Sequence, residues 1–282
     1  MFERSIPYMK AIFNSRIVST DDQLITTTNR AFCYGDGLFE TIVTGPGRIS
    51  LIEYHIGRLS RACHIMGIKF PEPLTAKKVA EMISHLASLN EFNGLVRTKL
   101  SLWRNEGGLY TPTASEASFY LETSTSDTPI YRGLKKVGLS KNYHTQYSPI
   151  SFAKTSNALT YVLAGHEKRQ NGLDDILLTD NHGNISESHI GNIFWVIDHE
   201  VFTPKLTTGC VSGVMREFIL DFYLQQNKPV IEVECTVSTL KHAQSIFMTN
   251  ASGISFLKEF NGASLQNPKP ILEGLIKRLQ QP

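Results

Sequence analysis

Leu59, Cys63 and Met66 recur at three- and four-residue spacing, the period of one helical face, and predict a helix over 52–66. A second helix is predicted over 75–89, where Thr75 stands as an N-cap ahead of Ala76, Lys77 and Lys78. Val96, Thr98, Leu100 and Leu102 alternate instead, which predicts a half-buried strand over 95–103. The runs 11–18, 38–43 and 117–123 are also β-prone, and a turn-rich segment at 33–37 precedes the second of them. Residues 124–129 are polar and closed by Pro129, the composition of a linker. Beyond it the pattern restarts with a strand at 134–140, a helix near 157–170 and β-prone runs at 175–179, 192–197 and 201–203. A helix over 213–225, strands near 230–234 and 245–249, and a last helix over 270–280 complete the chain. The reading is α/β in class: a smaller N-terminal α/β domain over 1–124, a linker over 125–133, and a larger β-rich domain over 134–282 with helices packed outside.

The length of 282 residues suits two modest domains, and 41% hydrophobic against 19% charged residues leaves ample material for a core. A net charge of +2, with basic pairs no longer than Lys135-Lys136 and Lys277-Arg278, argues against a nucleic-acid partner. Cys33, Cys63, Cys210 and Cys235 lie too far apart for a disulfide scaffold or a C-x-x-C pair, so they read as reduced thiols. Residues 1–7 carry no basic segment leading into an apolar run, and no apolar stretch approaches the ~20 residues of a membrane span. The expectation is a soluble cytoplasmic protein.

Several common chemistries lack their motifs. Gly35-Asp36-Gly37 misses the third glycine of a dinucleotide fingerprint, His166-Glu167 is not part of H-E-x-x-H, and no G-x-S-x-G occurs. The segment 180–184 has its glycine out of place for a calcium loop, so no metal is expected. What remains is an ordered set. It runs from Tyr34-Gly35-Asp36-Gly37-Leu38-Phe39-Glu40-Thr41 through His55-Ile56-Gly57-Arg58-Leu59 to Ala153-Lys154-Thr155-Ser156-Asn157-Ala158-Leu159. Then come Gly183-Asn184-Ile185-Ser186-Glu187, Asn192-Ile193-Phe194, Thr203-Pro204 and Ser212-Gly213-Val214-Met215-Arg216. In this order, over residues 30–216, the set resembles the class IV aminotransferases, the fold-type IV enzymes that use pyridoxal 5′-phosphate. That family includes branched-chain and D-amino-acid aminotransferases and aminodeoxychorismate lyases.

The resemblance implies a two-domain fold with a barrel-like C-terminal domain, a homodimer and a small-molecule amino substrate. It implies Lys154 as the amine that holds the cofactor covalently and shuttles the substrate's α-proton. The flanking Phe152 and Ala153 would desolvate that amine and lower its pKa. Glu187 matches the carboxylate that keeps the pyridine nitrogen protonated. Arg58 matches the phosphate arginine, and Val214 and Met215 would give backbone N–H groups at a helix start. Tyr34 matches a tyrosine lining the substrate side, with a buried structural tyrosine as the alternative.

Departures within the family point further. Branched-chain enzymes carry tyrosine five residues after the lysine, where this chain has Leu159, and the pattern Lys154-x-x-Asn157-x-Leu159 instead resembles the D-amino-acid aminotransferases and the aminodeoxychorismate lyases alike. Met215-Arg216, Asn192-Ile193-Phe194-Trp195 and Thr249-Asn250-Ala251 are similar to the lyases, in which that asparagine lies near the substrate. A turn residue closing a strand is the plain alternative for Asn250. The resemblance implies an aminodeoxychorismate lyase first, and leaves an amino-acid transaminase open.

Overall fold

The computed structural model describes residues 9–134, 136–260 and 262–281, so the segment 1–7 and Lys135 discussed above lie outside the described residues. The chain forms two compact units. One takes the chain up to Pro46 together with His55–Asp127 and Thr155–Asn157; the other takes Gly47–Tyr54, Thr128–Lys154 and Ala158 onward.

The first unit contains β1 (Lys10–Phe13), β2 (Arg16–Ser19), α1 (Arg30–Tyr34), β3 (Gly37–Thr44), the length of α2 (Ile52–Met66) from His55 on, α3 (Ala76–Leu89), β4 (Leu95–Arg104) and β5 (Ala117–Ser126). Its sheet is antiparallel in the order β2-β1-β5-β4-β3. Both periodic helices form where their stripes predict. Leu59, Ala62 and Cys63 of α2 and Val79, Ile83 and Leu86 of α3 are buried, and the Thr75 side chain accepts from Lys78 N.

Two expectations are refined here and one gives way. The run 11–18 is a hairpin of two strands, because Asn14 and Ser15 turn at φ 46° and 67°. The turn-rich 33–37 begins as the end of α1, which Asn29 caps by accepting from Phe32 N at 3.0 Å and Gly35 ends at φ 67°. Ser124, Thr125 and Ser126 are strand rather than linker, paired with Arg97, Val96 and Leu95. Their polarity reflects exposure near the end of β5, past the two residues through which β1 pairs with it.

The second unit contains β6 (Tyr131–Leu134), β7 (Val137–Thr145), α4 (Leu159–Gln170), β8 (Asp175–Asp180), β9 (Ile185–Ser188), β10 (Gly191–Ile197), β11 (Glu200–Pro204), α5 (Val214–Leu224), β12 (Ile231–Val233), β13 (Ser245–Asn250), β14 (Gly253–Leu257), the short pair β15 (Glu259–Phe260) and β16 (Ala263–Ser264), and α6 (Lys269–Leu279). Among the described residues its main sheet has nine strands along the path β6-β14-β13-β10-β9-β8-β7, with β11 and β12 continuing from β10. The path does not close, so the sheet is a curled half barrel rather than a full one. The central strands are buried on both faces, which is why the β-prone run 192–197 is continuously apolar from Ile193 on. Phe194, Val196 and Phe247 pack with Val214, Met215 and Phe218 of α5, and Ile193, Trp195, Ile246 and Met248 fill the other side. Among the described residues no helix is long and apolar enough to cross a membrane.

Candidate active site

In the second unit the cross-strand register sets Glu187, Asn192 and Thr249 side by side on β9, β10 and β13. Directly opposed residues share a sheet face, and this face carries α5, since Phe194 and Phe247 of the same parity pack on it. Glu187 is 3% exposed, which would penalise its charge unless donors met it. They do: Oε1 accepts from Tyr161 Oη at 2.7 Å, and Oε2 accepts from Val211 N at 3.2 Å and Asn192 Nδ2 at 3.4 Å.

The segment Val211, Ser212, Gly213 joins the parts. Val211 donates to Glu187 and accepts from Asn192 Nδ2 at 2.6 Å. Ser212 N donates to Phe152 O at 2.9 Å, two residues before Lys154. Gly213 then opens α5 with no side chain capping the turn. Val214 and Met215 bury their side chains in the core, so what they present at this helix start is backbone N–H, a natural anion cradle. Thr249 Oγ1 is buried on the same face and has no hydrogen-bond partner among the described residues.

Lys154 lies between β7 and α4 and is half-buried, and its neighbours Phe152 and Ala153 are buried. Asn250 accepts from Ser252 N at 2.9 Å through Oδ1 and donates to Ile190 O at 3.4 Å, which is the work of a turn asparagine at a strand end. Arg216, adjacent to the cradle, is 1% exposed and engages Glu217 at 3.0 Å, Pro204 O at 3.0 Å and Glu232. Burial, and next the charge of Glu187, push the Cys210 thiol up to about 12. Among the described residues no three His, Cys, Asp or Glu side chains gather as a metal site would need.

Arg58 and Tyr34 belong to the first unit. Leu38, Glu40 and Ile42 alternate onto the buried side of β3, so a carboxylate sits on an apolar face at 1% exposure. His55 and Arg58, one turn apart on the buried stripe of α2, both meet it. Arg58 Nε donates to Glu40 Oε1 at 2.8 Å and its Nη2 donates to Oε2, while His55 Nδ1 lies 2.6 Å from Oε2. Burial alone would raise the Glu40 pKa, but the Arg58 charge and the His55 hydrogen bond hold it at about 2 instead of 4.5. Tyr34 is 39% exposed, with the Arg30 guanidinium 5.0 Å from its ring and the Tyr110 ring 5.6 Å away, so it is not a buried structural tyrosine.

The residues that the sequence reading missed are Tyr161, Val211, Thr249, Glu40 and His55. Glu40 and His55 left a signal, a charged or titratable residue on an apolar face. Tyr161 and Thr249 left none, because their roles depend on partners distant in sequence.

The donor set fits a phosphorylated pyridine. A helix start without a side-chain cap, an orphaned buried hydroxyl and a desolvated carboxylate held by donors lie on one face, and the segment that joins them hydrogen-bonds to Phe152, two residues before the half-buried Lys154.

A profile of the family described as Amino-transferase class IV matches residues 37–259. The aminodeoxychorismate lyase of Bacillus subtilis (strain 168) is 26% identical over 249 residues, which are 84% of this chain and 82% of that protein. Among solved structures, a branched-chain aminotransferase from Thermoproteus uzoniensis superposes with a TM-score of 0.85 at 21% identity, covering 97% of this chain and 93% of that one. The 4-amino-4-deoxychorismate lyase from Pseudomonas aeruginosa gives 0.77 at 25% identity, covering 96% of each. The fold is thus the mixed α/β fold-type IV that the sequence motifs implied.

Proposed function

Because this chain belongs to the class IV amino-transferase family, whose cofactor is pyridoxal 5′-phosphate, we propose that it is a lyase converting 4-amino-4-deoxychorismate to 4-aminobenzoate and pyruvate. The observation that carries the choice is Met215-Arg216 at the start of α5, a pair similar to that of the lyases. Thr249-Asn250-Ala251 and the likeness to the Bacillus subtilis lyase support the same reading, whereas Leu159, five residues after Lys154, speaks only against a branched-chain enzyme, because it resembles D-amino-acid aminotransferases and lyases alike.

Lys154 Nζ would hold the cofactor covalently. When bound, the cofactor supplies an electron sink for the carbanion left by α-proton removal. Lys154 Nζ takes that proton, and the same atom later protonates the enol fragment that departs as pyruvate. Glu187 keeps a proton on the ring nitrogen through its charge. Val214 and Met215 would hold the phosphate through their backbone N–H groups, and the family resemblance gives Arg58 the part of the phosphate cation. The resemblance assigns Tyr34 to the substrate side, and Asn250 as well, beside the turn that its side chain closes. The reading includes a homodimer in the cytoplasm acting on a small amino-bearing molecule.

The same lysine, carboxylate and cradle would serve a transaminase of D-amino or branched-chain acids, which is the second reading. Stoichiometry separates the two. With aminodeoxychorismate alone, the purified enzyme is expected to release pyruvate over many turnovers, because the amino group leaves on the aromatic product. Lasting transfer of the amino group of alanine, glutamate or a branched-chain amino acid to the cofactor, without pyruvate from aminodeoxychorismate, would move the function to the transaminases.

A further inference from the structure

We infer that Tyr161 is a positioning residue that acts through Glu187, holding its carboxylate ionised so that the shared proton stays on the cofactor's ring nitrogen. The inference rests on the role proposed for Glu187. Its geometry is independent of that role: Tyr161 Oη lies 2.7 Å from Glu187 Oε1, and the two residues stand on different elements, α4 and β9.

A carboxylate at 3% exposure is driven toward its neutral form unless the charged form is hydrogen-bonded. Val211 N and Asn192 Nδ2 meet one oxygen, and Tyr161 meets the other. Tyr161 can serve this purpose because it is an obligate donor. Burial first, and then the charge of Glu187 and the hydrogen bond to it, push the phenol far above its usual pKa, so the hydroxyl keeps its proton at any working pH. Each donation to the charged form stabilises the pair of carboxylate and protonated ring nitrogen against the pair of neutral acid and neutral ring. Removing the hydroxyl therefore shifts the proton from the ring toward Glu187 and weakens the electron sink. Tyr161 also lies seven residues beyond Lys154, on the helix that follows the lysine segment, so it ties that helix to the carboxylate.

The ring of Tyr161 packs against Ala164, Ile176 and Leu178. Tyr161→Phe keeps this packing and deletes only the donor. Tyr161→Met, which fills similar apolar volume with no donor, is the second variant should the first lose its fold.

The experiment uses holoenzyme reconstituted with 15N-ring-labelled pyridoxal phosphate. It reads the nitrogen chemical shift, the melting temperature, and kcat and KM for whichever substrate the enzyme turns over. In the parent protein the shift should be that of a protonated pyridine. In Y161F it should move toward neutral pyridine. The value of kcat should fall about ten- to a hundredfold, the factor commonly carried by one hydrogen bond to a charged group, with KM little changed. In the Glu187→Gln background, Y161F should add less than it does alone, since a residue acting through another loses its effect when that partner is neutralised.

Glu187→Gln with parental shift and turnover would sink the role proposed for Glu187 itself. If E187Q is defective while Y161F and Y161M both keep the protonated shift and parental kcat, the inference about Tyr161 is overturned and the cofactor reading stands. A lowered melting temperature with an unchanged nitrogen shift would likewise overturn it, leaving Tyr161 as packing alone.

Discussion

Replacing Glu40 with glutamine removes a charge from the interior of the first unit and leaves the Arg58 guanidinium, 7% exposed, facing an amide. Two routes give the size of the loss. The carboxyl is held at about 2 instead of 4.5, and at 1.36 kcal/mol per pH decade this 2.5-decade difference corresponds to roughly 3 kcal/mol at neutral pH. Removing one partner of a buried ion pair generally costs about 3–5 kcal/mol, because the other charge stays behind uncompensated. The estimates overlap near 3 kcal/mol, which lowers the melting temperature by roughly 6–12 °C in a domain of ordinary size. The pH dependence has a definite sign. A carboxyl whose pKa is depressed on folding contributes fully above its unfolded value and loses that contribution as pH falls through the folded one. The stability gap between parent and E40Q should therefore be constant from neutrality down to about pH 4.5 and close between there and about pH 2. Thermal melts of both proteins across pH 7 to 2 test this. A gap under about 1 kcal/mol at pH 7, which is the order of an exposed pair, or a gap that does not narrow below pH 4.5, would refute the argument.

Lys154→Ala should give a folded protein without the near-visible absorbance of covalently held cofactor and with activity all but abolished; borohydride labelling of a different lysine in the parent would refute the assignment. Arg58→Ala should weaken cofactor affinity about ten- to a hundredfold, while turnover at saturating cofactor changes far less, as a cofactor titration of the apoprotein would show. Because it also strands Glu40, the same variant should melt lower than the parent. Gly213→Ala would drive a Cβ into Asn192 Oδ1, displacing the side chain that braces both Val211 O and Glu187. Overpacking of this kind costs about 1–3 kcal/mol, so a parental melting temperature with parental cofactor affinity would contradict the geometry described for the cradle.

The hydrophobic pattern by itself determined the helices 52–66 and 75–89, the strand 95–103 and the β-prone strand 192–197, because each carries its own period or, from Ile193 on, a continuous apolar stretch. The ordered motifs by themselves pointed to the family, and with it to the amine, the carboxylate and the helix start. These are local signals, and a local signal survives being read one segment at a time. Tertiary structure alone decided the rest. Residues 124–126 read as linker because polarity marks exposure, and only pairing with Leu95, Val96 and Arg97 makes them strand. The hairpin inside 11–18 depends on two left-handed residues that a β-prone composition conceals. Asn250 is engaged at a turn, while its neighbour Thr249 holds the orphaned hydroxyl, a difference set by which face of β13 meets α5. Tyr161 had the appearance of one more helical aromatic until the fold brought α4 and β9 within a hydrogen bond of each other across 26 residues of chain. Sequence fixes which chemical groups are present and their local period. Whether a buried charge is ionised depends on the donors that distant segments bring to it, and that is a property of the packed chain.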